Sequence, residues 1–448
     1  MKVKNMCYGK PLPLIFFFSL PLMLGNVFQQ LYTLMDTVIV SQKMGVDALA
    51  ALGSCEWINW LGFSIMTGFA QGFSILVSNA FGRNDASQVQ KTISALFMSC
   101  AVVASGFVLV SIWFLPFLLR LLDTPHAVFE MALLYARMIF LGLPITMFYN
   151  ATASVLRALG NSRTPLVSMV MASIVNIVLD VLFVNVWETG IVGAAVATLI
   201  AQLLAGGYCL WRLFCLPQYV PKNLVREPLM YVSMLKLGVP MALQNVLIAV
   251  GGMVLTRVVN QYGTYFLAGF TAINKLYGVL EISAVSYGYA MVTYVGQNYG
   301  AKKYQRIQEG VRSAMVLGIF TSLFIGAFLY IFGNALLSLF VASDQPGYDQ
   351  VMKYAWNFLS IMALFLPILY LLHIYRSAIQ GLRDTLIPML SGFLELLFRI
   401  GTACLLPIWF HESGLYPVEV FAWFGAVILL VPNYYWKQYH FPKESETK

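Results

Sequence analysis

The chain has 448 residues, of which 60% are hydrophobic and only 10% are charged. A water-soluble protein of this composition would expose more apolar surface than soluble monomers carry, so the composition excludes an ordinary soluble domain. The formal net charge of +8 comes from Lys and Arg residues scattered through short segments rather than gathered on one domain, which argues against a nucleic-acid partner.

Long apolar runs follow one another between Pro11 and Trp436, and a helix that spans a bilayer needs about 20 such residues. The runs are apolar on every face, whereas the strands of a membrane β-barrel alternate apolar and polar residues. The first run reaches Val40, which is too long for a cleavable signal peptide. The sequence predicts an all-α membrane protein with twelve transmembrane helices near residues 12–41, 48–78, 91–119, 128–156, 165–186, 191–213, 235–260, 265–297, 311–341, 350–379, 387–409 and 416–436.

Basic residues predict the orientation of these helices. Lys and Arg concentrate in alternate loops and in the C-terminal tail, among them Arg83, Arg163, Lys222, Lys303, Arg376, Arg383, Lys443 and Lys448. The intervening loops, which are poor in basic residues, lie around Lys43, Arg120, Glu188, Gly263, Asp344 and Glu412. By the positive-inside rule, both termini are expected in the cytoplasm, with the chain in the inner or plasma membrane.

Three short motifs reveal an internal repeat. They recur 218 to 221 residues later: Pro21 with Asn26 as Pro240 with Asn245, Phe81–Arg83 as Tyr299–Ala301, and Gly160–Thr164 as Gly381–Thr385. Six helices per copy is an even number, so the two copies are expected to be parallel repeats around a central cleft that carries the substrate. The predicted organisation is an N-terminal lobe of residues 1–216, a cytoplasmic linker of residues 217–236 and a C-terminal lobe of residues 237–448.

Four polar residues of the N-terminal half form a candidate coupling site. Asp36, Asp180 and Thr198 each lie about six or seven residues from the outer end of a predicted helix, about 10 Å below the surface at 1.5 Å per residue. Asn176 precedes Asp180 by four residues and shares its helix face. This oxygen-only set suits Na⁺, or a proton shared between carboxylates. The alternative is a hydrogen-bond network that only joins the three helices.

Other charged residues also lie inside predicted helices. Burying a charge in lipid costs free energy, so each of them is expected to be either functional or paired with an opposite charge. Glu395 and Arg399 are spaced i, i+4 and are predicted to form a structural ion pair. Glu56, Lys275 and Glu281 are candidates for the substrate cleft. The alternatives are a water-facing position for Glu56 and partners on neighbouring helices for Lys275 and Glu281.

Motifs for ATP-driven or hydrolytic chemistry are missing from the sequence. It contains no Walker loop, no HExxH and no Gly-rich dinucleotide turn. The six cysteines have no paired spacing, so neither a disulfide framework nor a zinc site is indicated. The sequence predicts a protein that is not an enzyme and that needs no cofactor beyond a coupling ion.

Several segments resemble the multidrug and toxic compound extrusion (MATE) family, in its prokaryotic form. The most specific is PLMLGNVFQQLYTLMDTVIV at Pro21–Val40, and the others are ALAALG at Ala48–Gly53, RALGNSRTP at Arg157–Pro165 and GQNYGA at Gly296–Ala301. The resemblance covers nearly the whole chain. It implies a twelve-helix antiporter that expels organic cations and other amphiphiles in exchange for Na⁺ or H⁺.

The resemblance also implies roles for individual residues. Asp36, Asn176, Asp180 and Thr198 match the family's N-lobe cation site, and Pro21 matches a proline about which the first helix bends. Gln244, Asn245 and His373 stand where one branch of the family carries acidic coupling residues, which argues against a C-lobe site of that kind.

Three hypotheses remain open at this stage. The leading one is a monomeric, cation-coupled drug antiporter, and the second is a flippase of lipid-linked saccharides or peptidoglycan precursors. The third is a membrane receptor without transport, for which ligand binding would not depend on an ion gradient.

Overall fold

The computed structural model describes residues 3–44, 46–122, 124–341 and 347–442, so Asp344, Lys443 and Lys448 lie outside the described residues. These ranges contain no β-strand. Their α-helices are α1 (Pro11–Met44), α2 (Val46–Gly82), α3 (Ala86–Leu121), α4 (His126–Leu141), α5 (Leu143–Ala158), α6 (Arg163–Asp180), α7 (Ile191–Phe214), α8 (Pro228–Val259), α9 (Thr264–Gly300), α10 (Tyr304–Leu337), α11 (Tyr348–Gly381), α12 (Leu386–Phe410) and α13 (Val418–Tyr439). A π-helical turn, Val181–Val186, follows α6, and short 3-10 turns follow α8 and α12.

A helix stands at each of the twelve predicted positions, but the fourth is divided. It consists of α4 and α5, which meet at Gly142 with a bend of 43°. Pro144, the second residue of α5, lacks an N–H, and its ring would collide with the carbonyl four residues earlier in a continuous helix. Leu199 of α7 packs against Gly142, where a Cβ atom would overlap the Leu199 side chain.

Length and apolar composition make this a multi-pass membrane protein. Among the described residues, ten helical segments are each long enough and apolar enough to cross a membrane, and the bent α4–α5 pair is an eleventh when it is counted as one span. The remaining helix, α9, is long enough at 37 residues but carries Lys275, Glu281 and several tyrosines, so its hydropathy is lower.

The chain separates into two compact units that differ from the predicted lobes. The first comprises residues 1–6 and 20–245, and the second comprises residues 7–19 and 246–448. The predicted lobes were residues 1–216 and 237–448. The units differ from them at the beginning of α1, which belongs to the second unit, and at the beginning of α8, which belongs to the first. In the second unit, Lys303 Nζ donates a hydrogen bond to the Cys7 carbonyl at 3.0 Å, and Arg306 Nη2 donates to the Gly9 carbonyl at 2.9 Å.

In the first unit, α2 and the beginning of α8 are in backbone contact. A Cβ atom on Gly72 would lie 2.6 Å from Gly238 Cα, and one on Gly68 would lie 2.9 Å from Ala242 Cα. Small residues spaced four apart permit this close packing between membrane helices. The start of α8 therefore belongs to the first unit.

The predicted linker 217–236 is shorter in the structure, because α8 begins at Pro228 rather than near residue 235. Proline is favoured at a helix start, where its missing N–H would have no acceptor in any case. The loop before it is held to α3 by Gln90 Nε2, which donates to the Gln218 carbonyl at 2.9 Å. An ion pair of 2.8 Å between Lys91 Nζ and Glu227 Oε1 adds a second contact.

The internal repeat is visible in the backbone. Asn84 and Lys302, which are 218 residues apart, both adopt left-handed conformations with φ of 59° and 58°. The N–H of each donates to the carbonyl three residues earlier, at 3.0 Å for Asn84 and 3.1 Å for Lys302. Pro21 and Pro240 also occupy matching positions inside α1 and α8.

Candidate functional site

The candidate site lies where α1, α6 and α7 come together in the first unit. Near its start, α6 packs on α1, because a Cβ atom on Gly25 would lie 3.7 Å from Leu166 Cα. About two turns further, Ser173 Oγ donates a hydrogen bond of 3.2 Å to the Phe28 carbonyl. Later residues of α6 contact later residues of α1, so the two helices run in the same direction. Asn176 and Asp180 therefore lie at the same depth as Asp36.

The structure brings the four predicted residues together in the interior of this unit. Asp180 is 0% exposed, Asn176 1%, Thr198 8% and Asp36 9%. Asn176 Nδ2 donates a hydrogen bond to Thr198 Oγ1 at 3.3 Å, which joins α6 to α7. The carboxyl groups of Asp36 and Asp180 are close enough to interact electrostatically.

Most oxygen atoms of this cluster have no protein donor. Asp36 Oδ1, Asn176 Oδ1 and both carboxyl oxygens of Asp180 are buried without a hydrogen-bond partner among the described residues. A buried polar atom without a partner costs about 1–3 kcal/mol, and more if it is charged. The donor set therefore fits a hard cation such as Na⁺, which oxygen ligands bind, or a proton on one carboxylate.

Sequence reasoning missed two tyrosines beside the cluster. Tyr32 lies one turn before Asp36 and within electrostatic range of its carboxyl group. Tyr135 of α4 is buried within electrostatic range of both carboxyl groups. The i, i+4 spacing from Asp36 could have identified Tyr32, but nothing in the sequence signals that α4 reaches the site.

The helix that carries Asp180 changes form directly after it. The turn Val181–Val186 is π-helical, and the Trp187 N–H donates to the Leu182 carbonyl five residues earlier at 2.9 Å. Such turns are rare and recur at functional sites, because the extra residue redirects the side chains around it.

Beyond the cluster, apolar and ionic contacts close the end of the unit. Ile39 and Val40 of α1 pack with Ala48, Val184 and Ala194 in a buried apolar cluster. Glu188 lies outside the membrane-spanning segments, and its Oε1 is 2.7 Å from Lys43 Nζ at the end of α1. The hydrogen bond from Lys43 holds the pKa of Glu188 below its ordinary value.

Pro21 lies within α1, which continues as one helix from Pro11 to Met44. Proline has no N–H to donate to the carbonyl four residues earlier, so the helix is weakest at this turn. Its predicted role as a bending point stays a prediction.

Glu395 and Arg399 form the predicted i, i+4 ion pair at 3.3 Å, but each has a shorter contact elsewhere. Glu395 Oε2 lies 2.7 Å from Arg376 Nη2, and Arg399 Nη2 lies 2.7 Å from Glu419 Oε2. We call these four residues the C-terminal charge network. The assignment of Arg376 to a loop was wrong, since Arg376 lies inside α11 and is 5% exposed.

The three cleft candidates differ in their surroundings. Glu281 Oε1 is 3.3 Å from Nε2 of His373, so a partner on a neighbouring helix is the observed arrangement for this residue. Lys275 and Glu56 are exposed. Their predicted part in substrate binding stays a prediction.

The family model described as MatE matches the chain twice, over residues 21–182 and 240–405. The chain belongs to the MatE family. Two matches of one family model confirm the internal repeat that the three motifs indicated, and with it the two-lobe fold class.

Alignments with curated relatives extend over most of the chain. It is 29% identical over 420 residues to the probable multidrug resistance protein YpnP of Bacillus subtilis, with 93% of each chain covered. It is 27% identical over 372 residues to the FAD transporter of Shewanella oneidensis, covering 79% of this chain and 81% of that one. The solved structure of a MOP superfamily transporter from Pyrococcus furiosus superposes with a TM-score of 0.90 at 21% identity and covers 98% of both chains, so it shares the fold.

Proposed function

We propose that this MatE protein is a cation-coupled antiporter that exports organic cations and other amphiphilic drugs by alternating access. The coupling ion, Na⁺ or H⁺, binds in the first unit at Asp36, Asn176, Asp180 and Thr198. Binding of the ion and of the drug must disfavour each other, because linkage between two sites is reciprocal.

The observation that carries this proposal is the set of buried oxygens without a protein donor. A network that served only to join helices would pair its members, whereas here both oxygens of Asp180 and one of Asp36 lack a partner among the described residues. Two buried carboxyl groups that repel one another favour uptake of a proton or a cation, since either neutralises them.

Na⁺ is the favoured ion on ligand count. A proton needs one carboxylate, whereas Na⁺ gains from neutral oxygens such as the Asn176 carbonyl and the Thr198 hydroxyl. Asn176 Nδ2 already bonds to Thr198 Oγ1, which leaves the amide carbonyl oxygen of Asn176 available to a cation.

Drug export is supported by the names of the relatives, several of which are multidrug resistance or multidrug export proteins. The FAD transporter shows that a relative of similar identity carries an anionic dinucleotide, so FAD belongs in any substrate panel. The flippase of lipid-linked saccharides is the alternative. It calls for cationic groups that bind pyrophosphate, whereas the buried guanidinium of Arg399 is paired with two carboxylates.

The proposal also includes a location and a state. The protein is proposed to be a monomer in the inner or plasma membrane. Both termini are proposed to lie in the cytoplasm, as the positive-inside rule predicts.

Transport into everted membrane vesicles tests the function. We expect accumulation of a fluorescent organic cation when a Na⁺ gradient or a pH gradient is imposed separately, with the stronger response to Na⁺. Vesicles carrying Asp36→Asn protein are the matched control. Drug binding without any response to either gradient would support the receptor, and movement of a lipid-linked saccharide would support the flippase.

A further inference from the structure

Arg137 is a charged residue inside a membrane-spanning helix to which the proposed function gives no role. It is the twelfth residue of α4, so its Cα lies about 16 Å along the helix axis from the start of that helix. Arg137 and Glu130 are both exposed. Neither makes a hydrogen bond or ion pair with another residue in the described part of the chain.

The direction of the Arg137 side chain follows from helix geometry. Side chains of an α-helix tilt toward its N-terminus, so the guanidinium is carried toward the membrane surface at which α4 begins. Glu130 lies two turns closer to that surface on the same helix face, about 10 Å along the axis. A long basic side chain inside lipid adopts this arrangement because it brings the charge to the headgroup layer.

The two charged side chains border a groove of about 470 Å³ within the first unit. Its apolar lining comes from Met44, Met131 and Leu134. Leu134 and Leu141, on the same face of α4, are 47% and 55% exposed. Apolar side chains exposed beside the groove indicate contact with hydrocarbon rather than with water.

The beginning of α7 also lines the groove. Thr189, Gly190, Ile191 and Val192 line it, and since Gly190 has no side chain its backbone faces the groove directly. The first N–H groups of a helix have no acceptor within the helix and carry partial positive charge. They line the same groove as Arg137, so this groove suits an anion.

We propose that this groove binds a phospholipid with a primary-amine headgroup. The phosphate accepts hydrogen bonds from Arg137 and from the first turn of α7, and the ammonium group pairs with Glu130. The glycerol region lies along Leu134, Met131 and Met44, and the acyl chains extend past Arg137 along the exposed Leu141, toward the interior of the bilayer. A guanidinium matches phosphate geometry in two parallel bonds. A quaternary choline group offers no N–H to Glu130, so the groove favours the primary amine.

Native mass spectrometry of the full-length protein tests the proposal. Protein in detergent is mixed with phosphatidylethanolamine, or with phosphatidylcholine of the same acyl chains, and the bound lipid is counted. We expect more bound phosphatidylethanolamine than phosphatidylcholine. Arg137→Ala should weaken phosphatidylethanolamine binding about tenfold, the size expected for one charge-assisted interaction.

The matched control is Arg120→Ala, since Arg120 lies at the end of α3 over the Phe129 ring and is not among the residues that line the groove. It should bind lipid as the unmodified protein does. Equal lipid counts for the Arg137 and Arg120 variants would overturn the proposal. Water-soluble phosphoethanolamine has no acyl chains. If it displaced the bound lipid as strongly as added phosphatidylethanolamine does, the groove would be a site for a free anion, and the proposal would also be overturned.

A second variant tests the amine and does not depend on the folding of the Arg137 variant. Glu130 is exposed, so Glu130→Gln should fold normally and lose the preference for phosphatidylethanolamine over phosphatidylcholine. An unchanged preference would contradict the assignment of the ammonium group to Glu130.

Discussion

The residues of the proposed ion site are arranged for binding at the expense of stability. Asp36 and Asp180 are buried near one another, and neither carboxyl group is fully paired within the described residues. Sites built for function commonly retain such costs, and removing the charge then raises stability while it abolishes activity.

Asp36→Asn should abolish gradient-driven drug efflux and leave the protein in the membrane at its normal level. Because one of two repelling buried carboxyl groups is removed, the midpoint of thermal unfolding in detergent should be equal to or above that of the unmodified protein. Asp85→Asn is the control, since Asp85 caps α3 by accepting a bond from the Gln88 N–H at 2.9 Å and asparagine caps helices equally well. Near-normal drug resistance from Asp36→Asn would remove Asp36 from the mechanism.

Asn176→Ala and Thr198→Ala distinguish the two candidate ions. If Na⁺ couples, each change should raise the Na⁺ concentration for half-maximal transport about tenfold, for a ligand worth about 1.4 kcal/mol. Ser173→Ala removes a polar group one turn away that bonds to the Phe28 carbonyl, and it should leave the Na⁺ dependence unchanged. Full transport in Na⁺-free medium, driven by a pH gradient alone, would show that protons couple.

At this scale the sequence predicted which side chains meet but not how they are surrounded. Residue depth and i, i+4 spacing were sufficient for Asp36, Asn176, Asp180 and Thr198, because both follow from helix geometry. The proximity of Tyr135 depends on how α4 packs, and the π-helical turn after Asp180 depends on one extra residue per turn. Neither leaves a periodic signal in the sequence.

At the scale of elements, the C-terminal charge network shows how α11, α12 and α13 are joined. Glu395 accepts from Arg376 on α11, and Arg399 of the same helix α12 reaches Glu419 on α13. The i, i+4 rule found only the contact within α12, because partners on other helices have no fixed spacing in the sequence.

Glu395→Gln should lower stability more than transport per molecule. The change leaves the buried guanidinium of Arg376 without its carboxylate, and breaking a buried pair in this way costs about 3–5 kcal/mol. Glu419→Gln is the matched control and should cost less, because the Glu419 side chain is 18% exposed against 6% for Glu395. The measurements are yield, thermal midpoint in detergent and transport normalised to protein. Normal yield with lost transport would assign Glu395 to the mechanism instead.

The glycines of α2 permit a controlled test of helix packing. A methyl group on Gly72 would meet Gly238 Cα at 2.6 Å, whereas one on Gly53 of the same helix has no atom within 4 Å. We expect Gly72→Ala to lower the stability of the folded protein by about 1–3 kcal/mol, the usual cost of overpacking. Gly53→Ala should be neutral or slightly stabilising, since alanine is the better helix former. Equal thermal midpoints for the two variants would contradict the backbone contact between α2 and α8.

At the scale of the whole molecule, hydropathy and the repeat were sufficient to predict twelve helices in two halves. Both signals are long-range averages and tolerate errors at individual residues. The composition of the two compact units was not predictable in the same way. It depends on small-residue contacts such as Gly72 with Gly238 and on hydrogen bonds such as Lys303 to the Cys7 carbonyl, which hydropathy does not register.

The repeat has a consequence for the stoichiometry of exchange. With Pro21 matched to Pro240, Asp36 corresponds to Leu255, and with Gly160 matched to Gly381, Asp180 corresponds to Gly401. Only the first copy of the repeat carries both acids. The protein is therefore expected to bind one ²²Na⁺ ion at saturation, and the Asp180→Asn variant is expected to bind none. A second bound ion that survives this substitution would place an independent ion site elsewhere. With one ion per cycle, exchange for a monovalent organic cation moves no net charge, and the transport rate should not respond to the membrane voltage.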